Sequence, residues 1–95
     1  MNPDQPIAGL AKPFHEKFIR LVGTESRVIE ANKKNLIEAY NYLGVFYNLN
    51  KNFECSKAAL IKTVELDAAN KIATTLLADP NLVSAKGTCE LIPQQ

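Results

Sequence analysis

His15, Cys55 and Cys89 are the residues of this 95-residue chain whose side chains can do the most chemistry, as base, nucleophile or metal ligand. Each role needs companions. His15 is the single histidine and has only Glu16 beside it, with no spacing that brings in a Cys, an Asp or a second His. It reads as a surface residue. Cys55 and Cys89 are not arranged as Cys-x-x-Cys, and two cysteines are too few for a disulfide scaffold. Cys55 reads as a buried, idle thiol and Cys89 as part of a terminal tail, with no bond expected between them. No glycine-rich phosphate loop is present, so nucleotide chemistry has no motif. The expectation is a protein that is not an enzyme, with no catalytic residues, no metal and no cofactor.

The remaining polar groups do not point to a polyanion either. Lys and Arg total 11 against 10 Asp and Glu, a formal charge of +1, so no strong field toward nucleic acid is expected. Lys33, Lys34, Lys57 and Lys62 are balanced by Glu30, Glu38, Glu54 and Glu65 and read as solvated helix faces. No apolar run approaches the roughly 18 residues of a membrane helix, so no membrane insertion of this segment is expected. Met1 to Pro6 has neither a basic start nor an apolar stretch, unlike a secretory signal. Location therefore defaults to the cytoplasm, with a signal on an upstream part of a longer parent left open.

The elements that position these residues are helical. From Thr24 to Asp79 there is one glycine and no proline, and neither an alternating strand pattern nor an Asn-Gly hairpin signal occurs. Ile37, Tyr40, Leu43, Gly44 and Tyr47 share one face at three-and-four spacing, and Phe53, Ser56, Ala59, Leu60, Thr63 and Val64 repeat it. Asn50-Lys51-Asn52 and the stretch from Asp67 to Asn70 interrupt. Asp79-Pro80 stops the next stretch, because a residue before proline is pushed out of the helical region. Upstream, Phe14, Phe18, Leu21 and Val22 follow helical spacing, with Pro13 in the first turn and Gly23 as a cap. The spacing predicts four helices near 12–22, 31–49, 52–66 and 69–78, an all-α fold. Residues 24–30 read as a loop or an extra turn or two, and 1–10 and 84–95 as frayed ends. In the aromatic group, Tyr40 and Tyr47 belong to the core face, and Tyr42 and Phe46 point toward the preceding helix.

Tyr40-x-x-Leu43-Gly44-x-x-Tyr47, then Ser56 and Leu60, then Ala68, resembles the tetratricopeptide repeat, with Ala68 where the family has proline. The repeat would run from Ile37 to Asn70, matching the family period of about 34 residues. Tyr40, Leu43, Gly44, Tyr47, Ser56 and Leu60 form its structural signature. Two antiparallel helices approach closely only where facing residues are small, so Gly44 should meet Ser56 while the larger residues fill the flanks. Residues 11–30 resemble the second helix of a preceding repeat plus a connection about eleven residues longer than the family turn. Residues 31–78 hold the repeat and a capping helix, and 79–95 a tail. Because such arrays need about three repeats for stability, the resemblance implies the C-terminal end of a longer α-solenoid.

The resemblance also implies a site. The first helix of each repeat lines a concave groove for a peptide or a partner's helix, which here places Glu38, Asn41, Val45, Asn48 and Leu49 along it. Asn41 and Asn48 can both donate to and accept from a peptide backbone, while Val45 and Leu49 offer apolar contact. Val45 stands where a carboxylate-clamping member has another Asn, which argues against that mode. The function implied is a non-enzymatic scaffold segment that binds a protein or peptide. The alternative is a capping segment that pairs with another copy, motivated by Phe14, Phe18 and Leu21 lacking their usual partner helix.

Overall fold

The structure, a computed structural model, describes residues 12–89. Its helices are α1 Lys12–Val22, α2 Ser26–Ala31, α3 Lys33–Leu49, α4 Phe53–Leu66, α5 Lys71–Leu77 and α6 Pro80–Val83. Among the described residues there is no strand, so the chain is all-α there. Six helices replace the four expected. α2 arises because residues 26–31 coil separately and break at Asn32, whose backbone leaves the helical range (φ −114°, ψ 18°). The Asn32 amide caps that break by donating to Val28 O at 2.9 Å. α6 arises because Asp79-Pro80, which ends α5, also starts a helix. The Asp79 carboxylate accepts from Asn81 N at 2.8 Å, and proline is tolerated in a first turn because no intrahelical partner awaits its N–H there.

Asparagine caps do much of the remaining punctuation. Asn52 accepts from Cys55 N at the start of α4, and Asn70 accepts from Ala73 N at the start of α5. Between α3 and α4, Lys51 N donates to Asn48 O and Asn52 N to Tyr47 O, the paired bonds of a Schellman turn. That turn needs a left-handed residue, and Lys51 takes the position at φ 62°. At the end of α1 the left-handed position is held by Gly23, φ +70°.

α3 packs on α1 and α4, and α4 on α5 and α6. One apolar cluster joins Ile19 and Val22 of α1, Leu36, Ala39 and Leu43 of α3, and Ala59 of α4. A second joins Leu60 of α4, Ala73 of α5 and Leu82 of α6, with Leu76 and Leu77 packed alongside. α4 is therefore apolar on two sides. The α3–α4 crossing is close: Ser56 Oγ donates to Gly44 O at 2.7 Å, and a Cβ at Gly44 would lie 2.6 Å from Leu60 Cγ. Leu43, Ser56 and Leu60 are fully buried there, and Tyr40 and Tyr47 are half-buried on the flanks.

Residues 84–89 are not frayed. They lie against α4, and Cys89 is bonded to Cys55 with a Cα–Cα separation of 4.8 Å. This overturns the reading of two idle thiols. The physical reason is that α6 turns the chain back across the start of α4, where Glu54 and Lys57 hold it. Residues 1–11 and 90–95 lie outside the described residues, and with them the frayed end expected at 1–10 and the last part of that expected at 84–95.

Candidate functional site

Four places on the described surface have geometry beyond simple packing. The first is the row on α3. Glu38 is exposed, Leu49 is 51% exposed, and Val45 and Asn48 are half-buried. Asn41 differs from its neighbours. Its amide Nδ2 donates to Asn70 Oδ1 at 3.1 Å, tying α3 to the cap of α5. Its Oδ1 is buried and accepts from none of the described residues. Asn41 thus faces α5 and leaves the expected row, of which Glu38, Val45, Asn48 and Leu49 remain.

The second place is the seam between α1 and α3. The His15 ring lies 4.5 Å from that of Tyr42, and Tyr42, Phe46 and Tyr47 follow one another along α3 with centroids 6.3 and 5.3 Å apart. The Lys12 ammonium sits 5.9 Å from the Phe46 ring and 5.6 Å from that of Tyr47, in reach of the negative ring faces. It also donates to Glu16 at 2.8 Å, and that bond, more than any other influence, raises its pKa above the ordinary lysine value. His15 and Lys12 of α1 thus meet rings of α3 that contact one another along that helix.

The third is a cleft of about 190 Å³ where α1, α2, α3 and α4 converge, walled by Ile19, Ile29, Leu36 and Leu66 with Tyr40, Lys62 and Glu65 at its polar edge. Burial, and secondarily the nearby Glu65 carboxylate, pushes the Tyr40 phenol above its usual pKa, so it stays a neutral hydroxyl. Lys62 and Glu65 lie 3.8 Å apart at an exposed edge, a pairing of little energetic weight. The volume is below the range of ordinary small-molecule sites and suits one side chain.

Sequence reasoning missed the segment at the start of α4. The Glu54 carboxylate accepts from three successive backbone N–H groups: Lys86 at 3.0 Å, Gly87 at 2.7 Å and Thr88 at 3.3 Å. Three amides converge on one anion only if the chain curls into a nest, which Gly87 permits at φ +72°. These bonds, that from Lys86 first, hold the Glu54 pKa below the ordinary carboxylate value. Lys57 Nζ donates to Ala85 O at 2.7 Å and to Val83 O at 3.4 Å, so it is an anchor and not part of a solvated helix face as expected. The one sequence signal was the even cysteine count, which says nothing of pairing.

Among the described residues no group of three His, Cys, Asp or Glu side chains is placed to hold a metal, and no helix is long and apolar enough to cross a membrane. No family model matches the chain, and neither a curated protein nor a solved structure matches it. The functional reading therefore rests on the residues alone.

Proposed function

We propose that this chain is a non-catalytic, tetratricopeptide-like scaffold segment that receives a peptide or protein partner along α3. The observation that carries the reading is the α3–α4 crossing, where Gly44 and Ser56 meet and Leu60 fills the space that a side chain at Gly44 would need. Such a crossing makes a stiff helical hairpin, and a stiff hairpin can hold Glu38, Val45, Asn48 and Leu49 in one row without an ordering cost on binding. Val45 and Leu49 supply apolar contact, and Asn48 can hydrogen-bond a peptide backbone in both directions. Asn41 serves the stack through Asn70.

The test is a pooled peptide library titrated into isotope-labelled protein. Amide shifts should gather on Glu38, Val45, Asn48 and Leu49 and spare the His15–Tyr42 seam. Shifts that leave this row untouched across the library would refute the reading.

A second reading, assembly with another copy, is favoured by one specific feature. Phe14 and Leu21, seven residues apart and so on one side of α1, are 76% and 74% exposed. Two large apolar side chains stacked in this way suit a self-complementary helix contact. A strict monomer by light scattering at high concentration would remove it.

A further inference from the structure

The segment 84–89 is held on α4 by three different devices within a few residues. The Glu54 carboxylate gathers three amides, Lys57 takes two carbonyls, and Cys89 is bonded to Cys55. Underneath, the Gly87 Cα hydrogen region faces the Lys57 stem and Ile61, where an added Cβ would lie 3.3 Å from Lys57 Cγ and 3.5 Å from Ile61 Cδ1. The strap thus covers a stripe of α4 made by Glu54, Lys57 and Ile61. Of the three devices, the two polar ones are only part-buried, so water still competes for their donors and acceptors. The covalent one is different in kind, and it can be undone chemically.

Its position favours that chemistry. Cys55 is the third residue of α4, so its sulfur lies in the first turn, where unpaired amides and the helix dipole favour an anion. It is 9% exposed, whereas Cys89 is half-buried on the strap and the more open to attack. A disulfide leaves fastest when the departing thiol is the more acidic one. Attack at Cys89 with departure of Cys55 fits both requirements.

We propose that Cys55–Cys89 is a redox latch: intact, it holds the strap on the outer side of α4, and reduction by a dithiol releases the strap while the helical stack stays folded. One thiolate of the dithiol bonds to Cys89 Sγ, the Cys55–Cys89 bond breaks, and Cys55 leaves as a thiolate. The reductant's second sulfur, deprotonated, then bonds to its first, closing the reductant's own disulfide and expelling Cys89 as a thiolate. Two electrons pass to the protein, and the two protons given up by the reductant end on the cysteines. Oxidation by a disulfide of the same class reverses each step.

The test is amide hydrogen exchange of the full chain, oxidised and after treatment with dithiothreitol, with thiol titration to verify that both cysteines are free. Protection of the Lys86, Gly87 and Thr88 amides should fall by about tenfold or more on reduction, well beyond any fall at the Gly44 and Leu60 amides. Cys89→Ser without reductant should reproduce the reduced pattern, and reoxidation of the wild type should restore the original one. A fall of less than about tenfold at residues 86–88 would show that the polar anchors suffice, and the latch is then wrong. An equal loss of protection at Gly44, Leu60 and the strap would also overturn it, since the bond would then be a staple of the whole fold.

Discussion

Gly44 and Lys51 are seven residues apart and have opposite relations to their surroundings. Gly44 sits in a helix interior, where glycine costs about 1 kcal/mol against alanine, yet Leu60 occupies the space a side chain would need. Gly44→Leu should therefore destabilise the protein by at least about 1–3 kcal/mol, read as a lowered thermal midpoint. An unchanged midpoint would mean that the two helices do not nest at this crossing. Lys51 is the reverse case, an exposed side chain forced to φ 62° by the turn it closes. Left-handed backbone costs a residue bearing a Cβ about 1–2 kcal/mol, so Lys51→Gly should raise stability by about 1 kcal/mol in a denaturant titration. A loss of stability there would show that the lysine is held by something other than its backbone.

At the scale of elements, the strap has a pH dependence with a defined sign. Its amides lower the Glu54 pKa, so near pH 4 the folded protein binds fewer protons than the unfolded chain and stability rises with pH. The contribution is complete above the ordinary carboxylate pKa and drains away as acid carries the pH down through the lowered folded value. Exchange at Lys86, Gly87 and Thr88, corrected for its intrinsic pH dependence, should accelerate in the oxidised protein as the pH falls below the ordinary carboxylate range. Glu54→Gln should abolish that acceleration, and persistence of it in the variant would assign it to another group. The same scale explains what could be read in advance. α1, α3, α4 and α5 were legible because apolar spacing runs through each and Gly23, Asn52, Asn70 and Asp79-Pro80 mark their ends. α2 and α6 span 6 and 4 residues, too short for a period of 3.6 to show. The strap was illegible because its nest is made of backbone N–H groups, which carry no residue signature, and because a cysteine pairing across 34 positions exists only in space. Along α3, spacing located the buried Leu43 and Gly44. It could not show Asn41 turning to Asn70, a partner 29 residues away.

For the whole molecule, α4 takes part in both apolar clusters, presenting Ala59 to one and Leu60 to the other. α1 stands at one edge of this arrangement with Phe14 and Leu21 uncovered. If those side chains join two copies, Phe14→Glu combined with Leu21→Glu should yield a monomer by light scattering with an unchanged melting temperature. A wild type that is already monomeric would leave α1 with no such role. The Cys55–Cys89 bond also alters how the protein would answer a mechanical pull. A load applied through the chain beyond Cys89 passes across the sulfurs into the first turn of α4, bypassing α5 and α6 altogether. Those two helices ride in a covalently closed loop that tension does not stretch, so anything tethered to the C-terminal end tugs on α4 and leaves them slack.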